Sequence, residues 1–186
     1  LAGIYIIIGK KEESLKYYED SINLTMKAGG PKELLSDYIQ TGDILLLSGM
    51  TEEAIEKFTG GFDILEKMDS TPDWYNIKKA QLLYRLALCC FKKKDYEKAE
   101  NYLKESIKTE SETGKPWYDP MYKLMSEVYL ANGKPHKALK YNMAHPASND
   151  KIFDLLFMSR AFRDMKNREK SLEYAGKALK DIKKDI

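Results

Sequence analysis

Five times along the 186 residues one spacing returns: a small residue, a large one three positions on, a turn residue four beyond that, and a second small residue five further. The first small column holds Ala2, Gly42, Ala87, Ser126 and Ser159, and the large column holds Tyr5, Leu45, Cys90, Tyr129 and Phe162. Gly9, Gly49, Lys94, Gly133 and Lys166 occupy the turn, and Ser14, Ala54, Ala99, Ala138 and Ser171 follow it. Small residues let one helix approach the next, and the large ones fill the space between them. Glycine suits the turn because it reaches positive φ at low cost after a helix. Such a unit is an antiparallel helix pair, which cannot bury its apolar stripe alone and must stack on its neighbours. The final column advances by 40, 45, 39 and 33 residues, so about five pairs fill the chain.

Breakers and caps give the helix map. Pairs are expected at 1–8 and 11–27, 32–47 and 51–68, 73–92 and 96–111, 119–131 and 135–144, and 149–164 and 168–184. Gly29-Gly30-Pro31, Ser70-Thr71-Pro72-Asp73, Thr113-Gly114-Lys115-Pro116 and His145-Pro146 mark the exits between helices. Thr51 and Asp95 are expected to cap the helices that follow them, and Pro135 suits a first turn. No shift in composition marks a second domain or a linker, so one helical repeat domain over residues 1–186 is expected. Its first pair reads as truncated, because the chain opens inside the repeat and presents the apolar run Tyr5, Ile6, Ile7 and Ile8. The last helix, rich in Lys and Glu, is expected to cap the stack.

The run Leu124-x-Ser126-x-x-Tyr129-x-x-x-Gly133-x-x-x-x-Ala138 carries these columns most fully, and Leu86-Ala87-x-x-Cys90 followed by Ala99 comes next. On these residues the chain resembles the tetratricopeptide repeat family over most of its length. Its repeats are degenerate and longer than the family's usual length of about 34 residues. In this they are similar to the lengthened repeats of bacterial regulators and signalling scaffolds. The last repeat departs from the pattern by lacking both the glycine and the central alanine. The resemblance implies an all-α fold of antiparallel helix pairs stacked in a right-handed α-α superhelix. It also implies a concave wall, built by the first helix of each pair, along which peptides lie.

The composition removes other classes of function. Lys plus Arg number 31 against 29 Asp plus Glu, a formal charge of +2, far from the basic excess of a dedicated nucleic-acid binder. Apolar runs such as Ile4 to Ile8 are much shorter than the roughly 20 residues of a membrane-spanning helix, so no membrane insertion is expected. Cys89 and Cys90 read as two buried helix thiols rather than a disulfide framework. The compartment stays open, with the cytoplasm favoured. His136 and His145, nine residues apart, fall on different helix faces, and no zinc, calcium or nucleotide spacing occurs. Glu12-Glu13 and Glu52-Glu53 begin helices, where the exposed amides favour negative charge. No catalytic set, metal site or cofactor is therefore expected.

Projecting the family's inward columns selects Ile39, Gln40, Asp43 and Leu47 in the second repeat, and Gln81, Tyr84, Arg85, Leu88 and Lys92 in the third. The same projection gives Lys123, Glu127 and Leu130 in the fourth, and Phe153, Phe157, Arg160 and Arg163 in the fifth. Aromatic area with guanidinium and ammonium groups suits a protein or peptide ligand of acidic character. The family's two-lysine, asparagine clamp for a terminal carboxylate is not reproduced. The expectation is a non-catalytic protein- or peptide-binding scaffold, the sensor or adaptor segment of a larger regulator. The alternatives are self-association through Tyr5, Ile6, Ile7 and Ile8, or packing against further repeats of the same parent chain, and a small-molecule sensor in the concave groove.

Overall fold

The computed structural model describes residue 5 and residues 8–68, 71–113, 119–144 and 151–182. Among the described residues there are nine helices and no strand: α1 (Lys11–Ala28), α2 (Pro31–Leu47), α3 (Thr51–Glu66), α4 (Pro72–Lys92), α5 (Tyr96–Ser111), α6 (Asp119–Ala131), α7 (Pro135–Ala144), α8 (Lys151–Asp164) and α9 (Arg168–Ile182). This is the all-α fold of antiparallel helix pairs expected from the columns. The expected helix at 1–8 falls largely outside the described residues, as do Ser70, the Gly114-Lys115-Pro116 exit, His145-Pro146 and Lys183-Lys184. Helices α2 and α4 each start one residue earlier than expected, on Pro31 and Pro72. Proline is well placed there, because its missing N–H is one the first turn leaves unpaired in any case.

The chain forms two compact units, Leu1–Pro116 and Trp117–Ile186. In the first, α1 packs on α2, α2 pairs with α3, α3 packs on α4, and α4 pairs with α5. Its core joins Leu35, Ile39, Leu45 and Leu46 of α2 to Phe58 and Leu65 of α3 and to Leu82, Leu86 and Cys89 of α4. In the second unit α6 pairs with α7, α7 packs on α8, and α8 pairs with α9. Among its described residues, Met121, Met125, Val128, Ala138, Phe157, Ala161 and Ala178 are the fully buried apolar side chains.

The columns have a backbone explanation. Every turn-column residue has positive φ: 79° at Gly9, 84° at Gly49, 63° at Lys94, 69° at Gly133 and 59° at Lys166. The residue after each turn donates its N–H to the carbonyl of the large-column residue, as in Met50 to Leu45 (2.9 Å), Asp95 to Cys90 (2.9 Å), Lys134 to Tyr129 (2.9 Å) and Asn167 to Phe162 (2.9 Å). A second, inner bond runs from the turn residue itself, as in Lys94 to Phe91 (3.0 Å). This pair of bonds is the Schellman closure of a helix, which needs a left-handed residue at the turn. Three-residue connections therefore link α2 to α3, α4 to α5, α6 to α7 and α8 to α9.

Asp95 caps α5 as expected, its Oδ1 accepting the Lys98 backbone N–H at 3.2 Å. The expectation for Thr51 is corrected. The turn delivers Met50 to the capping position, which makes no side-chain bond, and Thr51 is already the first helical residue. At the turn itself, a left-handed lysine carries a Cβ penalty of about 1–2 kcal/mol that glycine avoids. Lys94→Gly is therefore expected to raise the urea midpoint, with a gain in unfolding free energy of about 0.5–1 kcal/mol after glycine's larger unfolded-state entropy is subtracted. Gly49→Ala should lower it, and equal midpoints for all three proteins would contradict the assignment.

Candidate functional site

Helices α2 and α4 touch directly in the first unit, and a cleft of about 200 Å³ lies between them. From α2 come Lys32, Ser36 and Gln40, and from α4 come Trp74, Lys78, Gln81 and Arg85, with Leu35 and Ile39 also lining it. Positions 74, 78, 81 and 85 form one stripe at helical spacing, as do 32, 36, 40 and 43 on α2. The sequence thus turns two faces with polar tips toward each other over an apolar floor.

Electrostatics distinguish this cleft. Each nitrogen of the Arg85 guanidinium makes one bond: Nε donates to Asp43 Oδ1 at 2.8 Å, Nη2 to Asp43 Oδ2 at 2.9 Å, and Nη1 to the Gln81 carbonyl at 3.2 Å. Lys32 and Lys78 place their ammonium nitrogens 5.5 Å and 5.7 Å from the Trp74 ring centroid. Lys78 also donates to Gln81 Oε1 at 3.3 Å. Neither lysine has a carboxylate partner among the described residues. Burial lowers the Lys78 pKa from its ordinary 10.5, and the neighbouring Arg85 charge adds to the shift.

A second cleft in the same unit, about 240 Å³, is lined by Glu52, Ile55, Leu86, Cys90, Lys93, Asp95, Lys98 and Tyr102. Its charges balance internally, because Lys93 pairs with Glu52 and Lys98 with Asp95. Cys90 lines it, and both Cys90 and the adjacent Cys89 are free and buried. Burial pushes the Cys89 thiol up to about 12 and raises Cys90 as well, so neither is a ready thiolate.

In the second unit, Lys123 stands 4.7 Å from the Phe153 ring centroid. Arg160 grips Glu127 with both terminal nitrogens, which joins α8 to α6. Phe157 is buried, stacks on Phe153 at 6.2 Å, and carries the Arg160 guanidinium 6.0 Å above its ring. Arg163 is exposed and its ion pair is with adjacent Asp164, at 3.5 Å. Leu130 is buried.

Of the inward residues expected from the sequence, Ile39, Gln40, Gln81 and Arg85 meet in the α2–α4 cleft. Asp43 stands behind Arg85 as its counter-ion. Tyr84 and Leu88 are half-buried on α4, Leu47 and Lys92 are exposed, and none of these four lines the cleft. Lys32, Ser36, Trp74 and Lys78 were not singled out in the sequence. The signal was present, since extending the Gln81–Arg85 stripe two turns toward the start of α4 reaches Lys78 and then Trp74. In the N-terminal apolar run, Tyr5 is half-buried and stacks on Tyr17 at 5.1 Å, Ile8 is exposed, and Ile6 and Ile7 lie outside the described residues. His136 is exposed. Among the described residues no helix is long and apolar enough to cross a membrane, and no three His, Cys, Asp or Glu side chains gather as a metal site.

Residues 80–112, the second half of α4 with α5, match the family profile described as Tetratricopeptide repeat. No curated protein matches the chain at a significant level. Among solved structures, that of MamA is similar over 100% of this chain and 96% of its own, at 16% identity and a TM-score of 0.71. BtubC (BKLC) from P. vanneervenii is similar over 97% of this chain and 76% of its own, at 15% identity and a TM-score of 0.74. YrrB, a TPR protein with an unusual peptide-binding site, matches over 96% and 81%, at 18% identity and a TM-score of 0.62. At such identities the likeness is one of fold.

Proposed function

We propose that this chain, which carries a tetratricopeptide repeat at residues 80–112 within a fold of like helix pairs, is a non-catalytic scaffold that binds a protein or peptide segment. In this reading residues 1–186 work as one domain, the adaptor or sensor part of a regulatory protein, and acidic groups of the partner seat in the α2–α4 cleft. One observation carries the reading: two ammonium groups without a carboxylate partner stand beside a single tryptophan in a cleft between two first helices. Tryptophan is among the side chains that dominate binding energy at interfaces, and here a half-buried lysine and an exposed one flank it. The peptide-binding site of YrrB is that protein's own, and it supports only the capacity of the fold for such a ligand.

Fluorescence anisotropy with labelled acidic and basic peptides tests the reading. Acidic peptides are expected to bind, and added salt to weaken them. Asp43→Asn should tighten them by about tenfold, because it releases a bidentate guanidinium fork toward the cleft. Equal affinity for basic peptides, or no response to the Asp43 change, would remove the cleft from the site. Arg160→Glu with Arg163→Glu asks the same of the second unit, where unchanged affinity excludes both arginines.

A further inference from the structure

We propose that the α2–α4 cleft takes a phosphate monoester borne on a peptide side chain, such as phosphoserine, with Lys32 and Lys78 as its cationic partners. This rests on the scaffold reading and narrows its ligand from an acidic group to a dianion.

Charge comes first. Arg85 is neutralised by Asp43, which leaves the two ammonium groups uncompensated. A carboxylate supplies one negative charge, whereas a phosphate monoester carries about −1.5 to −2 at neutral pH. The balanced cleft around Lys93 and Lys98 shows that such an excess is not general to this unit.

Donor geometry points the same way. Planar carboxylates are best read by a guanidinium fork, and the Nε–Nη2 fork of Arg85 is already on Asp43. What remains are ammonium groups, which act as point charges with rotatable donors and suit a tetrahedral oxyanion. Ser36 accepts from Gln40 Nε2 at 2.9 Å, so its own hydroxyl proton is left to donate to a ligand oxygen. The cleft, about 200 Å³, is smaller than the 300–1,000 Å³ of drug-sized pockets, and it suits one modified side chain with the Trp74 ring flanking its methylene. Burial first, and then the nearby Arg85 charge, lower the Lys78 pKa, and a dianion bound beside it favours the charged ammonium.

The chain has two tryptophans, so a Trp117→Phe variant makes Trp74 the sole emitter and a direct reporter on the cleft. The probes are acetyl-Ala-Ala-phosphoserine-Ala-Ala-amide, its aspartate and serine counterparts, and inorganic phosphate. The expected result is a saturable change in Trp74 emission whose midpoint is at least about tenfold lower for the phosphopeptide than for the aspartate peptide, with the serine peptide silent. Lys78→Gln and Lys32→Gln, checked by circular dichroism for retained helicity, should each raise that midpoint several-fold. The advantage should shrink at pH 5, below the second phosphate ionisation near 6. Equal midpoints for phosphoserine and aspartate, or indifference to both lysine changes, would overturn the proposal. Inorganic phosphate binding as tightly as the phosphopeptide would overturn the peptide source. If the phosphopeptide fails while acidic peptides still bind by anisotropy, the dianion falls and the scaffold stands; failure of both removes the scaffold reading too.

Discussion

Phe58→Ala is expected to lower the unfolding free energy by about 3–5 kcal/mol, the cost of a deleted buried aromatic plus the cavity it leaves. Phe58 has no exposed surface, and its ring lies across Gly42 of the preceding helix. A Cβ at position 42 would sit 2.4 Å from the ring, closer than any real contact. The aromatic on α3 and the missing side chain on α2 are therefore one structural decision. Gly42→Ala alone should destabilise by about 1–3 kcal/mol, because the ring must move in a packed core. In the Phe58→Ala background that penalty should vanish, since the new methyl enters vacated space. Urea denaturation of the four proteins measures the coupling, and additive losses would mean that the two positions do not share this contact.

Phe157→Ala should cost a similar 3–5 kcal/mol in the second unit. The repeat columns place Phe157 on an inner wall, where truncation would weaken a ligand and spare the fold. Its 1% exposure says the reverse, with the ring stacked against Phe153 and covered by Arg160. The half-buried Phe153 should lose clearly less on truncation to alanine. Comparable losses at both positions would show that Phe157 is not the deeper support.

These residues mark how far the sequence could be read. Helix pairs and their turns were legible because each turn is closed locally, by bonds that reach back only five residues and leave a fixed spacing. Lysine at 94 and 166 hid the turn from composition yet not from the spacing, and the backbone there matches that of the glycines. The cleft was half legible. Helical spacing identifies a face, but Arg85 meets Asp43 across 42 positions and Arg160 meets Glu127 across 33. Which guanidinium already has a counter-ion is decided by tertiary packing, which no local pattern records. Trp74 and Lys78 lie outside the projected columns for a simpler reason: the α4 stripe expected from the repeat begins at Gln81, one turn beyond Lys78 and two beyond Trp74.

The three-residue closures have a consequence for heredity. Each hairpin is finished by its own residues, so a change of length between hairpins leaves these closures untouched. A duplication or deletion with its breakpoints between hairpins leaves every turn intact and returns a chain that still pairs its helices. The advances of 40, 45, 39 and 33 residues between successive repeats, set beside an unchanging turn, match that tolerance. A gene for this protein can drift in length between hairpins while the punctuation within them is kept.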